Sequence, residues 1–332
     1  MTAVWTQLVE DARFAPSPHN TQPWRVRPRS EHEADLEVPV ERLLPVEDPD
    51  GRFLTAGVGI FLEALDVAAA ARGLALRYEP LYPQLGAHAA EPCLAARMRL
   101  EPRGDEQAAP VELLHRRRTA RVRYDGRAAP EEVLDELAAI AGEFGHEVHF
   151  TSDPALVDWI VALNADTLFE DLREDDRRAE IAAWTHFSDR RAERAGDGFS
   201  PTCLGFAGPL VRLLFRYHRL CEPAPIRALL RRLYLRGTGG AATVGWIAGP
   251  WTTPAEQLEA GRMLMRLWLA VTSHGLYLHP FGSVITNPVS HARLADRITV
   301  DAQAGELWLL LRLGFCAEPP RSARRPAAEM IA

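Results

Sequence analysis

The chain has 332 residues, with 47% hydrophobic and 25% charged, the usage of an ordinary globular protein long enough for about two domains or pseudo-repeats and a full core without disulfide or metal staples. A net charge of -7 weighs against nucleic acid as the main partner, because a phosphate backbone selects a basic face. All 38 Lys and Arg positions are arginine, which excludes lysine Schiff-base chemistry and a pyridoxal phosphate linkage.

In chain order, residues 1–15 read as a short amphipathic helix stopped by Pro16. The loop Ala15 to Trp24 is dense in Pro, Ser and Asn, the composition of an ordered turn. Trp24 to Arg27 and Asp35 to Val38 read as paired strands. The turn Asp48-Pro49-Asp50-Gly51-Arg52 leads into a long apolar helix from Phe53 to Arg72, in which Gly57, Gly59 and Ala64 suit close packing. Leu74 to Tyr78 and Cys93 to Leu100 read as strands, and the polar stretch Glu101 to Pro110 ends a first unit.

A second unit opens with a helix carrying Val111, Leu113 and Leu114, followed by the basic run Arg116 to Arg121. A helix from Pro130 to Phe144, a strand from Glu147 to Thr151 and a helix from Asp153 through Leu163 come next. Residues 185–238 look inserted: a charged stretch, then two Arg-rich apolar helices, Leu210 to Leu220 and Ile226 to Leu235. Thr243 to Ala248 reads as a strand, and Thr253-Pro254-Ala255-Glu256 as a capping box for a helix through Ser273. Leu307 to Leu313 is a buried strand before a Pro- and Arg-rich tail. Helix, strands, helices, strands, twice over, predicts an α+β fold with helices packed on mainly antiparallel sheets. No stretch is read as a membrane span or signal segment, so a cytoplasmic protein with neither a membrane nor a nucleic-acid partner is expected. The four scattered cysteines form no CxxC pair and read as packed thiols, and no metal site is expected.

Four segments carry possible chemistry. The loop Pro16 to Trp24 reads equally as a packed turn or as part of a site. The run Arg117-Arg118-Thr119-Ala120-Arg121, followed by Tyr124, is either a solvated helix end or a guanidinium clamp for a phosphate. The tail from Arg321 to Pro326 reads as a loose basic end. His274 to Ser283 is ordinary helix punctuation, with His274 and His279 as proton donors or structural histidines.

Ala15-Pro16-Ser17-x-x-Asn20-x-Gln22-Pro23-Trp24 resembles the flavin-contacting loop of the nitroreductase superfamily. The basic run resembles that family's Arg-x-Ser-x-Arg-x-Phe element, and Arg324-Arg325-Pro326 its closing segment. The resemblance implies FMN as cofactor and NAD(P)H as transient electron donor to a small-molecule substrate. It places Pro16, Ser17, Pro18 and Asn20 along the isoalloxazine. Arg117, Thr119, Arg121 and Arg324 fall on the phosphate, and Arg118 on the ribityl chain. Pro280, Phe281, Gly282 and Ser283 lie near N5 and the pyrimidine edge. Ser17, His19 and His274 are candidate proton donors.

The first unit has the loop without a clamp; the second has clamp and tail without a second loop. The parts suffice for one intramolecular site, formed by a monomer from two fused and unequal nitroreductase-like repeats, residues 1–105 and 106–332, with a lid-like insert at 185–238. This pattern resembles the fused, Acg-type branch of the family. The expected activity is hydride transfer from NAD(P)H to flavin N5 and on to an organic acceptor. The alternatives are FMN storage without turnover, or oxidation of a peptide or natural-product intermediate. The Arg-rich insert helices are expected to be surface packing, with contact to a membrane surface less favoured.

Overall fold

A computed structural model describes residues 3–105, 107–221, 223–298 and 305–332. In the first unit, Trp5, Leu8, Val9 and Ala12 share the buried face of α1 (Ala3–Ala12). Strands β1 (Arg25–Pro28), β2 (Glu33–Val38), β3 (Leu74–Pro80) and β4 (Cys93–Pro102) form an antiparallel sheet of order β1-β2-β4-β3. Between β2 and β3 runs α2 (Arg52–Ala70). Its first turn is capped by Asp48, whose carboxylate accepts from the Phe53 and Leu54 amides at 3.2 and 2.8 Å. Burial pushes that carboxyl up to about 6 in spite of these donors. By length and composition α2 could cross a membrane, contrary to the sequence reading, but most of it is buried in this fold.

The second unit repeats the plan. After α3 (Glu112–Arg116) and α4 (Glu131–Glu143), strands β5 (Glu147–Thr151), β6 (Thr243–Gly249), β7 (Tyr277–Pro280) and β8 (Glu306–Gly314) form an antiparallel sheet of order β5-β6-β8-β7. The strand order is that of the first sheet. Between β6 and β7 runs α11 (Pro254–Ser273), started by the expected capping box of Thr253 and Glu256.

Helices α2 and α11 make the most extensive helix contact in the molecule, and two glycines set their separation. A Cβ on Gly59 would lie 1.9 Å from the Leu258 carbonyl oxygen, and one on Gly261 would lie 1.9 Å from that of Ala56. Each glycine thus receives the backbone of the other helix, three residues before the other glycine. The crossing is reciprocal, as in a contact between two copies of one subunit. One hydrophobic core, from Trp5 through Leu65 and Met263 to Met330, runs across both units.

The chain between β5 and β6 is a long helical excursion. It holds α5 (Pro154–Asp171), α6 (Asp175–Ala183), α7 (Asp189–Ala195), α8 (Pro201–Leu204), α9 (Gly208–Arg216) and α10 (Ala224–Thr238). The sequence reading ends this helix at Leu163, before the polar residues Asn164 and Thr167. The helix continues because distant partners satisfy them: Asn164 donates to the Tyr234 hydroxyl at 3.0 Å and Thr167 to the Ser290 hydroxyl at 2.7 Å. The helix read over Leu210 to Leu220 ends as α9 at Arg216, followed by a 3-10 turn at His218–Cys221. Beyond β7, α12 (Gly282–Thr286) and α13 (Pro288–Ala295) pack under the second sheet. The tail is ordered, contrary to its reading as a loose end. Val26 donates to the Met330 carbonyl at 2.7 Å and Ala332 to the Val26 carbonyl at 2.9 Å, so the chain's end pairs with β1 of the first sheet.

Candidate functional site

The loop before β1 is held in a strained shape. His19, Asn20 and Gln22 have φ of 49°, 57° and 50°, a left-handed backbone that costs a non-glycine residue on the order of 1 kcal/mol or more. Side chains over-determine it. The Ser17 hydroxyl accepts from the Gln22 amide at 2.9 Å, and Trp24 stacks on Phe61 of α2 with centroids 4.4 Å apart. Asn20 Nδ2 donates to the carbonyls of Gly198 and Ala323, while its Oδ1 accepts from Arg324 Nη1 at 2.6 Å. Gln22 donates to the Gly196 carbonyl at 2.8 Å and accepts from the Arg325 amide at 3.0 Å. These two amides therefore tie the loop to both the tail and the excursion, and the Asn20 side chain is fully taken up by that work. Pro16 is buried; Ser17, Pro18 and His19 stay partly accessible.

The clamp and the tail converge on the same loop. Arg117 Nη2 and Arg324 Nη2 donate to one carbonyl, that of Phe14, at 3.0 and 3.4 Å. Arg117 also lies over the Trp268 ring, 4.6 Å from its centroid. The group is electrostatically unusual. Arg117 Nε and Nη1 and Arg324 Nε are buried without a hydrogen-bond partner among the described residues. Desolvation lowers the Arg117 guanidinium well below its ordinary range, and its charged neighbours Arg324, Arg118, Arg121 and Arg321 push in the same direction. Burial brings Arg324 down to about 10. Buried cations without counter-charge are costly, and a dianionic phosphate with three acceptor oxygens supplies what these N–H groups lack. The residues present fit such a group.

Thr119 and Arg121 continue the clamp as an edge to the second sheet. Thr119 bridges Leu278 of β7, and the Ala120 amide donates to the Leu278 carbonyl at 3.0 Å. This connects the clamp to the turn Pro280 to Ser283, of which Phe281 is buried and Pro280, Gly282 and Ser283 reach solvent. Beneath it, the wholly buried Arg312 donates to His279 Nδ1 at 3.3 Å and to the carbonyls of Ala120 and Val122. Burial and the neighbouring Arg312 and Arg121 charges hold His279 far below its usual range, so it is a neutral acceptor there rather than a proton donor.

Two sequence assignments are engaged elsewhere. Arg118 Nη1 donates to the carbonyls of His115, Arg116 and Arg117, and Nη2 to Glu318 at 3.1 Å. It is a tether, lining a cavity of about 450 Å³ beside Tyr277 and Arg321. His274 sits at the exposed end of α11, 2.6 Å from Glu136, apart from loop and clamp. Conversely, sequence reasoning missed Phe199, whose ring lies 4.9 Å from the Arg121 guanidinium and 5.4 Å from the His19 ring. It also missed the shared Phe14 carbonyl and Glu47, 3.7 Å from His19 and 3.3 Å from Arg177. A phenylalanine in a charged stretch gives no local signal, and a backbone acceptor gives none at all.

No family model matches the chain. It is 27% identical over 328 residues to "Putative NAD(P)H nitroreductase Rv3131" of Mycobacterium tuberculosis strain H37Rv, covering 96% of this chain and 88% of that protein. The corresponding protein of strain CDC 1551 matches equally. These relatives support the nitroreductase superfamily. Among solved nitroreductases, the FMN-dependent NfnB of Mycobacterium smegmatis in complex with NADPH is 18% identical, covering 62% of this chain and 86% of its own, with a TM-score of 0.32. A nitroreductase with bound FMN from Desulfitobacterium hafniense is 14% identical, covering 63% and 91%, with a TM-score of 0.36.

Proposed function

We propose that this chain is an FMN-binding oxidoreductase that takes hydride from NAD(P)H and passes it to a small organic acceptor at one site formed within the chain. The observation that carries the reading is the buried group of guanidinium N–H donors around the Phe14 carbonyl, without carboxylate partners among the described residues. The names of the curated relatives supply the reaction class.

In this proposal Arg117, Arg121 and Arg324 hold the FMN phosphate, with the Thr119 hydroxyl beside them. Ser17, Pro18 and the strained backbone through Asn20 line one side of the ring, and Pro280, Phe281, Gly282 and Ser283 line the other. Bound FMN supplies the hydride chemistry, while the chain supplies anchoring, orientation and electrostatics. Arg121 and the buried Arg312 put positive charge under the turn, which favours anionic groups there. Ser17 and His19 are the side chains left to hold or move a proton. The repeated strand order and the reciprocal glycine crossing support two fused units, residues 1–105 and 106–332, as in the Acg-type pattern, and a monomer sufficient for function.

Arg117→Ala with Arg121→Ala removes charge-assisted contacts of roughly 1.5–3 kcal/mol each, so FMN affinity is expected to fall by two orders of magnitude or more. A double variant that purifies with a full complement of flavin overturns the clamp. A second reading, storage of FMN without turnover, is favoured by one feature: Phe199 stands between Arg121 and His19. Anaerobic stopped-flow mixing with NADPH separates the two. Bleaching of bound flavin supports the oxidoreductase. No bleaching in the native chain, restored in Phe199→Ala, supports storage behind that ring.

A further inference from the structure

On its inner side the far end of the excursion reaches the site described above, where Tyr234 of α10 lies near Arg121 and Arg312; its outer side faces solvent. From Gly208 to Thr238 the sequence holds seven arginines and one acidic residue, Glu222, in a chain whose net charge is -7. The α9 turn α10 hairpin folds Leu214, Cys221 and Leu230 inward as a small satellite core. Its outer surface then shows a set of large apolar side chains: Tyr217 at 50% exposure, Leu220 at 62%, Ile226 at 41%, Leu229 at 56% and Leu233 at 44%. Five of the eight large hydrophobic residues most exposed among the described residues lie in this one hairpin. Ile226, Leu229 and Leu233 follow helical spacing along α10, so they form one stripe.

The same hairpin carries the exposed arginines Arg212, Arg216, Arg219, Arg232 and Arg236. The nearby acidic groups are largely engaged. Asp166 pairs with Arg231 at 2.5 Å and Asp175 pairs with Arg178. The hairpin therefore presents aliphatic side chains beside guanidinium groups that, among the described residues, form no ion pair, with Asp175 in electrostatic reach of Arg219.

We infer that the α9–α10 hairpin docks on an anionic lipid bilayer. Side chains standing 41–62% out of the surface insert into a partner rather than receive one. Leucine and isoleucine suit the boundary between headgroups and acyl chains, and arginine lets its apolar stem follow them while its head meets phosphate. A second copy of the chain is disfavoured, because a symmetric contact through this patch would bring ten exposed arginines together. This revises the expectation of no membrane partner, and it stands independently of any flavin at the site.

The test is flotation of the full-length chain with vesicles of phosphatidylglycerol mixed equally with phosphatidylcholine, against pure phosphatidylcholine vesicles, at physiological ionic strength. Binding to the anionic vesicles alone is expected, weakening as salt rises. Each arginine near a charged surface contributes about fivefold, so Arg216→Gln with Arg219→Gln should weaken binding roughly twenty-five-fold. Leu229→Asp with Leu233→Asp should weaken it at least tenfold. Both pairs are exposed, and unchanged melting curves would confirm that each variant folds. Failure to bind anionic vesicles overturns the inference, as does undiminished binding by both variants. Capture of polyglutamate without vesicle binding overturns it in favour of an acidic protein, and concentration-dependent dimers abolished by Leu229→Asp overturn it in favour of self-association.

Discussion

The crossing of α2 and α11 offers a sharp mutational test. A Cβ on Gly59 would sit 1.9 Å from the Leu258 carbonyl oxygen, against the 3.4 Å at which ordinary contact begins, so the helices must part locally by about 1.5 Å. That oxygen belongs to backbone inside a helix and cannot swing aside. Overpacking typically costs about 1–3 kcal/mol, and a rigid obstacle puts Gly59→Ala at the upper end or beyond. In a chain of this size about 3 kcal/mol corresponds to a Tm lower by roughly 5 °C. Gly261→Ala meets the Ala56 carbonyl at the same distance and should cost a similar amount. The two penalties share one remedy, separation of the helices. The double variant should therefore cost clearly less than the sum of the singles. Calorimetry or urea titration of the four proteins measures this. Single variants with unchanged Tm, or a strictly additive double, would refute a crossing fixed by reciprocal backbone contact.

Two further outcomes concern charge. Arg324→Gln removes one of several mutually repelling buried cations, so the flavin-free protein should become more heat-stable while inorganic phosphate loses its ability to raise Tm; a flavin-free Tm that drops sharply would contradict this account. His146 accepts from Trp308 Nε1 at 3.2 Å in its neutral form, and burial pushes it down to about 4 from the usual 6.5. Because the unfolded chain binds that proton more readily, the stabilising contribution is complete above about pH 6.5 and is lost as pH falls through about 4. His146→Gln should remove that component, so its urea midpoints between pH 7 and pH 4 should fall less than those of the parent; parallel curves would reject the assignment. Asp48 and Asp171, both raised to about 6 chiefly by burial, act with the opposite sign in this window, which makes the comparison with the variant, and not the parent's curve alone, the informative one.

Much of the secondary structure was legible because its signals are local. Apolar periodicity gave α2, β8 and the strands of the first sheet, and Thr253 with Glu256 marked the start of α11. Local rules failed where a distant group decides. The second half of α5 depends on Tyr234 and Ser290, and β7 looked like punctuation because its pairing partners, β8 and Thr119, are remote in sequence.

The same division holds at the candidate site. By itself the sequence determined which chemical groups exist: a loop of Pro, Ser, Asn and Gln, a run of arginines and a basic tail, with no lysine to share the charge. Only the tertiary structure decided which of them meet. It brought Arg117 and Arg324 to one carbonyl, assigned Arg118 and His274 to Glu318 and Glu136, and set Phe199 between His19 and Arg121. Residue type fixes what a side chain can bind, whereas burial and neighbours, supplied by segments up to about 300 positions away, fix whether its donors are already satisfied.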